Sequence, residues 1–598
     1  MFRIPKPLRP EAPAAQSASI WAESSGEIPQ PSTSFCSSIM PECSTGHAQM
    51  QLEEKNRKKN RKKTFSCSFK GWSKGEKSVI MICNLWQVFF VCHELEASMR
   101  KLISLALAML MLLLSGAYAE DSFTIAGYDH KDTEHVWTEN FFFQRMEEVT
   151  GVHLKLLQYD TEEAWDAAKA AMLAGTQELP DAFFKANLTT RETAEWYDAG
   201  KLIDLKPYLV EHAPNLWALL ESHPEWMEAV TLPTGEIVAL PALDEAQFTN
   251  AMWINSVWLQ MIGKPAPTTA EELTEVLRAF RDRDMNGNGK RDDEAPLTFA
   301  SMWDLRFLAH AFGINANDYY VTTDENGKVS EILTTDENRA FLTWLHQLWD
   351  EKLLDQSGFT GIRDMSLSMS DEKEVVYGVA LSSSPIQLVD VESLKQYTLL
   401  EPLTYEGKQV YRDLTGDVIR GTFAITSACK DPAALLKWVD YLYTEEGFIL
   451  AEAGREGEEF SVNEDGSWLW ETANQEALNS VLAEATLRSG ISMPGYASVA
   501  FQQKIDDVNT KHVLSSLMRL KEIDSLPYPL VYLTREQQTR VEELIWNIGR
   551  YAERQMVWFV VGDVELNDET WAAFCEQVKA LGMDEMVEIW QTAADNQR

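Results

Sequence analysis

The sequence predicts an α/β protein that folds as two lobes. The first observation is an alternation of strand-like and helix-like stretches between residues 122 and 184, which is typical of a parallel sheet covered by helices. The second is a similar alternation that begins near residue 248. The third is length, because the 479 residues that follow residue 119 are too many for one hydrophobic core.

The first α/β stretch shows the two hydrophobic periods clearly. Phe123 and Ile125 alternate with smaller or polar residues, as in a half-buried strand. Phe142, Met146 and Val149 recur at the spacing of one helix face. The predicted elements, in order, are a strand at 122–127, a helix around 142–149, a strand at 152–157, a helix at 162–174 and a strand at 179–184.

The later elements are predicted from caps and turns. A strand is expected over 248–254, and a helix begins where Thr269 and Glu272 form a capping-box pattern. The turn residues of 234–241 predict a hairpin, and the Asp-Pro pair at 431–432 predicts another helix start. The order is therefore one α/β unit, a crossing, a second α/β unit and a return.

Residues 99–119 predict a signal peptide. Arg100 and Lys101 precede an apolar run over 102–114 that is too short to cross a bilayer. Small residues then form the pattern that signal peptidase recognises, so cleavage is expected before Glu120. We expect an exported, soluble protein in the periplasm or outside the cell. A membrane anchor that stays attached is the alternative.

The region before the signal peptide differs from the rest of the chain. Residues 1–98 hold five of the seven cysteines and a basic run at 55–63, and they are interpreted as a false start or a disordered extension. The alternative is a cytoplasmic tail with a membrane segment over 79–92. Ala117 stands where a lipoprotein box would carry its cysteine, so no lipid anchor is expected.

Composition excludes some functions and weakens others. Residues 120–598 carry 83 Asp and Glu against 38 Lys and Arg, a net charge of −45 that repels nucleic acid and anionic membranes. Only Cys429 and Cys575 remain there, so the fold does not depend on disulfides, although one bridge stays open. Nucleotide-binding, zinc-protease and serine-hydrolase motifs are absent from residues 120–598, which argues against an enzyme.

A loop over 284–294 predicts a structural calcium ion. Oxygen-bearing side chains recur at alternate positions, a glycine stands sixth for the sharp turn, and the seventh residue offers its carbonyl, as in an EF-hand loop. Ala295 stands where that loop has its final Glu, so the last carboxylate must come from one of the two preceding residues. A turn of solvated charges is the alternative. The expected ligands are Asp284, Asn286, Asn288, Lys290 through its carbonyl, Asp292, and Asp293 or Glu294.

Several stretches together resemble one family, the family 1 extracellular solute-binding proteins of ABC importers. The resemblance is strongest to the branch that contains the calcium-containing alginate-oligosaccharide-binding proteins. Each stretch is weak alone, but they occur in the family's order over nearly all of the chain after the signal peptide. They are 178–184 with 198–209, 235–241 with 252–280, 284–299, 423–460 and 581–593.

This resemblance implies a two-lobe periplasmic-binding-protein fold, the type II venus flytrap, with the chain crossing between lobes near Phe248, Glu401 and Arg455. It further implies a monomer that captures an oligosaccharide and hands it to permease subunits. The expected boundaries are 120–247 with 404–455 for the first lobe and 248–403 with 456–598 for the second.

Sugar-contacting residues are expected at strand ends and in loops that face the space between lobes. Aromatic rings pack against the C–H faces of sugars, and planar polar groups bind their hydroxyls. Inter-lobe packing is the alternative for the two tryptophans, and a surface ion pair is the alternative for Arg420. The candidates are Tyr128, Asp129, Asp181, Lys185, Trp253, Trp303, Arg306, Ser383, Ser384, Arg420 and Tyr496.

Two other functions compete with transport. A secreted calcium-dependent sensor or adhesin could keep the same fold, and a glycoside hydrolase would need a pair of carboxylates across the scissile bond. No pair stands out in the sequence. The strong negative charge favours a neutral oligosaccharide over a uronate, because Lys185, Arg306 and Arg420 are the only cations expected near the ligand.

Overall fold

The structure, a computed structural model, describes residues 122–248, 250–291, 293–360, 375–385, 389, 392–470, 472, 475–504 and 508–596. The predicted signal peptide, the extension before it and Asp292 of the predicted calcium loop lie outside these residues.

The described residues form a mixed α/β fold, and its elements are numbered in chain order. The strands are β1 (Phe123–Tyr128), β2 (Leu154–Tyr159), β3 (Ala182–Phe184), β4 (Leu240–Asp244), β5 (Ala251–Asn255), β6 (Ala295–Thr298), β7 (Val321–Thr323), β8 (Val329–Glu331), β9 (Tyr377–Ser382), β10 (Tyr397–Leu400), β11 (Tyr411–Arg412), β12 (Val418–Ile425), β13 (Ser461–Val462), β14 (Trp468–Leu469), β15 (Gly495–Ala497) and β16 (Asp524–Ser525). The helices are α1 (Phe141–Thr150), α2 (Glu162–Leu173), α3 (Thr190–Asp198), α4 (Lys206–His212), α5 (Pro214–Ser222), α6 (Pro224–Val230), α7 (Ser256–Ile262), α8 (Ala270–Arg281), α9 (Met302–Leu305), α10 (Asp336–Asp350), α11 (Pro432–Asp440), α12 (Glu445–Glu452), α13 (Gln475–Ala485), α14 (Val499–Gln502), α15 (Val508–Leu517), α16 (Arg535–Val561), α17 (Asp568–Ala580) and α18 (Met583–Asp595).

The first lobe is built on a six-stranded sheet with the order β15-β4-β12-β3-β1-β2. β1 pairs in parallel with β2 and β3, β15 pairs in parallel with β4, and β12 runs antiparallel between β3 and β4. The predicted strand–helix–strand–helix–strand order of residues 122–184 is confirmed. The predicted hairpin over 234–241 is wrong, because a turn at 232–236 leads instead into β4.

Local capping explains where the predicted helices begin. The Asn140 side chain accepts from the Phe142 amide, and Gly151 ends α1 in the left-handed conformation. The Thr269 side chain accepts from the Glu272 amide as expected, although the Glu272 carboxylate binds Thr268 instead of closing a capping box.

The second lobe is built on a four-stranded sheet with the order β10-β5-β9-β6. β5 lies antiparallel to both β10 and β9, and β6 pairs in parallel with β9. Helices α8, α10 and α16 bury leucines, valines and aromatic rings in the large core of this lobe. The two sheets therefore have separate hydrophobic cores.

The chain crosses between the sheets more than once, and the predicted boundaries need one correction. Phe248 lies between β4 of the first sheet and β5 of the second, and Glu401 follows β10 of the second sheet. The third expected crossing, at Arg455, is wrong, because β15 still pairs with β4 of the first sheet. The segment between them also packs on the first lobe, where the Asn140 amide group donates to the Ala483 and Thr486 carbonyls at 2.9 Å.

The two cysteines of the described residues are free, so the disulfide that the sequence left open does not form. Cys429 packs against the core of the first lobe and Cys575 against that of the second. None of the helices that the structure describes combines the length and apolar character that spanning a bilayer requires.

Candidate functional site

Two sheet edges lie next to the crossing between the lobes. The parallel strands of the first sheet end at one edge, called here the carboxyl edge. The second sheet has an entry edge, where β5 begins and β6 and β9 end. The connection over 245–250 joins these edges, and so short a chain spans at most about 25 Å. The end of β4 and the start of β5 therefore lie within that distance of each other.

A buried charge cluster occupies the middle of the carboxyl edge. Asp129 and Lys185, which follow β1 and β3, are fully buried and form an ion pair of 2.9 Å. His135 Nδ1 lies 2.7 Å from the Asp129 carboxylate, and Trp137 donates its indole N–H to the same oxygen at 3.3 Å. The structure thus brings together Asp129 and Lys185, two of the predicted residues.

One oxygen of this cluster has no hydrogen-bond partner in the described part of the chain. Asp129 Oδ1 is buried, and it lies so close to Gly490 that a Cβ there would come within 2.3 Å. Lys185 donates to the Ser489 carbonyl at 2.9 Å, which fixes the same loop from the other side. Burial lowers the pKa of Lys185, although Asp129 opposes the shift.

Tyr128 lines a cavity of about 300 Å³ where β1, β2 and β3 end. Lys169 reaches this cavity as a buried cation, paired with Glu192 at 2.6 Å and with Asp166 at 3.0 Å. Trp165 and Trp196 form the apolar part of its wall. The cavity therefore combines aromatic rings with carboxylates and one neutralised lysine.

A second cavity, of about 350 Å³, lies further along the carboxyl edge, where β4 and β15 end. Asp244, Glu452, Arg488 and Gln502 contribute polar groups to its lining. Burial raises the pKa of Glu452 to about 7, while Arg488 opposes the shift, and burial also raises the pKa of Asp244. Gln502 donates to Asp244 at 2.6 Å, so this wall offers oriented hydrogen-bonding groups.

Tyr496 stands beside this second cavity on β15. Its hydroxyl donates to Glu245 at 2.7 Å, and the other oxygen of Glu245 accepts from the Val499 amide at 2.9 Å. Burial and Glu245 raise the pKa of Tyr496. The side chain is thus held in place at the start of the crossing.

The entry edge carries a tryptophan and two arginines around one carboxylate. Trp303 donates its indole N–H to Asp318 at 2.9 Å, and Arg412 pairs with the same carboxylate at 2.8 Å. Arg306 lies 3.5 Å from Asp318 and is largely buried. Burial, with Arg306 nearby, lowers the pKa of Arg412 to about 10. Trp303 is half-buried, and the Arg412 guanidinium carbon lies 5.9 Å from the centre of its ring.

Three predicted residues have other placements. Trp253 is fully buried and donates to the Ser382 carbonyl, so packing occupies its ring. Arg420 donates to the Val531 carbonyl at 2.9 Å and lies over the Tyr532 ring, an internal contact and not a surface ion pair. Asp181 precedes β3 and accepts from Thr124 at the start of β1, so it lies at the opposite edge from Asp129.

Ser383 and Ser384 follow β9 at the entry edge, as predicted. Both are half-buried, and the Ser384 carbonyl accepts from Ser382 Oγ at 3.0 Å. Their contact with a ligand stays a prediction.

In the predicted calcium loop, side chains accept hydrogen bonds from backbone amides. Both oxygens of Asp284 accept from backbone amides, those of Gly287 at 2.7 Å and Gly289 at 2.8 Å. The two glycines have left-handed φ angles of 77° and 87°, which side chains other than glycine rarely adopt. Asn286 and Asn288 accept in the same way from the amides two residues further on.

Each of the two carboxylates at the end of the loop has one oxygen without a proton donor among the described residues. Glu294 accepts from the Met285 amide at 2.7 Å, so its side chain turns into the loop. Asp293 Oδ1 and Glu294 Oε2 are both buried and have no hydrogen-bond partner among the described residues. Hard oxygen donors of this kind suit calcium. Over the same residues, which exclude Asp292, no group of three or more His, Cys, Asp or Glu side chains is placed to hold a metal.

Several residues that the structure brings to these edges were not among the predicted ones. His135 and Trp137 follow the first strand within eight residues of Asp129, so their position after a strand was an available signal. Glu452 and Arg488 come from α12 and from a distant loop, and no local pattern connects them with β4. The same holds for Arg412, which reaches Asp318 from β11.

Comparison with known proteins identifies relatives of similar length. The chain is 25% identical over 485 residues to FusA, the fructooligosaccharide ABC transporter substrate-binding protein of Streptococcus pneumoniae serotype 4, across 76% of this chain and 87% of that protein. It is 24% identical over 416 residues to lipoprotein LipO of Bacillus subtilis, across 67% of this chain and 76% of LipO. No family model matches the chain.

Solved structures share the fold. FusA in complex with kestose superposes with a TM-score of 0.64 at 22% identity, covering 80% of this chain and 99% of that one. An HMO-binding solute-binding protein of Bifidobacterium longum infantis gives 0.66 at 21% identity, with the same coverage. The alginate-binding protein AlgQ2 without calcium ion gives 0.60 at 19% identity, covering 79% and 98%. An EF-hand mutant of FusA is also among these structures. The expected two-lobe solute-binding fold is confirmed.

Proposed function

We propose that this chain, an extracellular solute-binding protein of family 1 by its fold and its sequence similarity, captures an oligosaccharide for an ABC importer. The observation that carries the proposal is similarity to FusA along 87% of that protein, whose substrates are fructooligosaccharides. The two polar edges beside the crossing support it, because both sheets offer side chains suited to hydroxyl groups.

The proposed site combines the two cavities of the carboxyl edge with Trp303 and the serines of the entry edge. Asp129 Oδ1, buried and without a proton donor in the described chain, suits a sugar hydroxyl that donates to it. Glu452 and Arg488 would bind further hydroxyls along the same edge. Trp303 is the proposed stacking face.

The ligand is proposed to be neutral. Each predicted cation already has an internal partner: Lys185 pairs with Asp129, Arg306 lies beside Asp318 and Arg420 binds the Val531 carbonyl. None of the three is left to pair with a carboxylate of the ligand. The net charge of −45 for residues 120–598 also repels a polyanion.

A calcium ion is proposed for the loop over 284–294. Bound there, the ion would hold the segment between α8 and β6, and its role is proposed to be structural, because the loop does not contribute to either cavity. Side-chain oxygens along one curled segment would supply most of the coordination, with one backbone carbonyl as a further donor. The proposed ligands are Asp284, Asn286, Asn288, Asp293, Glu294 and the backbone carbonyl of Lys290.

The protein would act outside the cytoplasm as a monomer and would deliver its ligand to permease subunits in the membrane. LipO is a lipoprotein by name, whereas this chain has Ala117 at the position where a lipoprotein box would have cysteine. We therefore propose a secreted protein without a lipid anchor, and binding without catalysis.

Calorimetry with neutral and uronate oligosaccharides of equal length tests the proposal. We expect binding of a neutral oligosaccharide, and Trp303→Ala should weaken it by about tenfold or more, as loss of a stacked ring does. Trp546→Ala, which removes an exposed ring from α16, is the matched control and should leave affinity unchanged. Tight uronate binding that weakens sharply with salt would contradict the neutral ligand, and no binding of any oligosaccharide would contradict the function.

A further inference from the structure

Helix α16 presents an unusual row of exposed side chains. Trp546, Arg550, Arg554 and Trp558 follow one another at four-residue spacing, which aligns them along one face over about 18 Å. Trp546 is 64% exposed and Trp558 is 37% exposed. The opposite face of the helix is buried in the core of the second lobe. These four residues are called here the Trp–Arg row.

The two arginines of the row stack on its tryptophans. The Arg550 guanidinium carbon lies 5.0 Å from the Trp546 ring centre, and that of Arg554 lies 5.1 Å from the Trp558 ring centre. Neither guanidinium forms an ion pair with a carboxylate of the described residues. Arg540, on the same helix, pairs with Glu585 at 2.7 Å. The row therefore holds two cations without an ion-pair partner among the described residues, although residues 120–598 have a net charge of −45.

We propose that the Trp–Arg row is a docking surface for an acidic protein surface on the membrane subunits of the importer. This inference rests on the proposed function. Charge complementarity carries it, because the acidic remainder of the molecule repels carboxylates while the row attracts them. Trp and Arg are the residues that contribute most to protein interfaces. Stacking already orders each guanidinium for a carboxylate, so little side-chain entropy remains to be lost on docking.

The surroundings of the row favour a protein over a lipid surface. A helix that lies on a membrane needs a broad apolar face, but this row is one residue wide. Glu543, Asn547 and Glu553 flank it and are exposed. The row continues one turn back to Glu542, which pairs with Arg191 of α3 in the first lobe at 2.8 Å. A protein docked on the row would therefore sit next to a contact between the lobes.

Oligosaccharide uptake tests the inference in a strain that encodes the chain, after its own copy is deleted and variants are supplied. Arg550→Glu and Arg554→Glu should each lower uptake by about tenfold, with unchanged oligosaccharide affinity by calorimetry. Arg535→Glu is the matched control, because Arg535 is exposed on the same helix without a tryptophan partner, and it should keep wild-type uptake. Wild-type uptake in both row variants would overturn the inference, and so would a loss of oligosaccharide affinity that accounts for the lost uptake. Failure of the wild-type protein to bind any oligosaccharide would count against the proposed function instead.

Two further measurements test whether a lipid surface or a second copy of the chain occupies the Trp–Arg row instead. Purified protein should not bind protein-free liposomes made from phosphatidylcholine with phosphatidylglycerol, and binding that Arg550→Glu abolishes would assign the row to lipid instead. Sedimentation should give one monomer mass for wild type and for Trp546→Ala. A wild-type dimer that this substitution dissociates would assign the row to a second copy of the chain.

Discussion

The buried pair of Asp129 and Lys185 is the feature of single residues that most constrains the site. Both side chains are fully buried, so each charge depends on the other and on the groups around them. Lys185 also adopts a left-handed φ of 48°, as does Asn187 two residues later. Such backbone conformations in residues other than glycine concentrate at functional sites. The backbone that follows β3 therefore adopts a conformation that supports the charge cluster and does not continue the strand pairing.

Replacing Lys185 with Met should destabilise the protein strongly. The substitution keeps the length of the side chain but leaves the Asp129 carboxylate buried without its counter-ion, which costs about 3–5 kcal/mol of unfolding free energy. Urea denaturation measures the change. Lys155→Met, at an exposed position of β2, is the control and should shift stability by no more than about 0.5 kcal/mol. A loss below about 1 kcal/mol in the Lys185 variant would show that Asp129 does not need this partner.

Glu452 should make stability depend on pH. Its folded pKa is about 7 because of burial, against an ordinary value of 4.5. Between these values the folded carboxyl keeps a proton that the unfolded chain has released, so stability falls as pH rises from about 4.5 through about 7 and then levels off. Glu452→Gln cannot ionise, and it should lose less stability than wild type between pH 5 and pH 8.

Unfolding free energies measured at several pH values between 5 and 8 check this expectation. Glu446→Gln is the control, because Glu446 lies on the same helix and is exposed. This variant should keep the wild-type slope. An identical slope for wild type and Glu452→Gln would mean that the Glu452 carboxyl ionises normally in the folded protein.

The loop over 284–294 and the long helix α16 are stabilised by different kinds of interaction. The loop is held by side chains that bind backbone amides, and it ends in carboxylate oxygens without donors among the described residues. Helix α16 is held by its buried face, with a capping box at Thr534 and a left-handed Gly562 at its end. We therefore expect a bound cation to stabilise the loop, and we expect local helix propensity to affect the stability of α16.

Calcium should stabilise the folded protein through the loop. A ligand that binds only the folded state adds about 2.7 kcal/mol at one hundred times its Kd. Melting temperatures in EGTA and after calcium re-addition measure the gain within each variant. Asp293→Asn should reduce it, while Asp282→Asn, which changes a carboxylate just before the loop, should retain it. Equal melting temperatures with and without calcium in wild type would support a loop of solvated charges.

Gly549→Ala should stabilise α16. Gly549 lies in the interior of the helix, and the nearest atom to an added Cβ is Ile545 Cδ1 at 3.8 Å, an ordinary contact. Alanine lowers the backbone entropy of the unfolded chain, which is worth about 0.5–1 kcal/mol. Chemical denaturation measures the gain. A destabilised variant would indicate a close neighbour at this face of the helix that the described chain does not supply.

The net negative charge acts on the folded protein as a whole. A net charge of −45 for residues 120–598 means that folding brings many carboxylates closer together. Most ion pairs of the described chain are at least partly exposed, and such pairs contribute little. Repulsion between carboxylates should therefore outweigh attraction within pairs.

Added sodium chloride should raise the melting temperature of the whole protein. Raising the ionic strength from about 0.01 M to about 0.1 M shortens the screening length from about 30 Å to about 10 Å, which weakens long-range repulsion first. Differential scanning calorimetry in a calcium-containing buffer isolates this effect from the loop. A melting temperature that falls with salt would mean that native ion pairs outweigh the repulsion.

Local sequence patterns predicted many of the elements that the structure contains. Hydrophobic alternation identified β1 and β2, the Thr269 and Asp431 caps located α8 and α11, and alternating oxygens located the predicted calcium loop. These features depend on residues a few positions apart, so one segment contains all the information. The expected two-lobe fold came from the order of such segments along the chain.

Only the tertiary structure decided which of the candidate residues meet. Whether Trp253 offers its ring or packs it, whether Asp181 shares an edge with Asp129, and which lobe holds β15 all depend on strand order and register. Glu452 and Arg488 reach the second cavity from segments far apart in the chain. The sequence by itself therefore determined the elements, the charge and the family resemblance, whereas the make-up of the site required the fold, because contacts across a sheet leave no local signal.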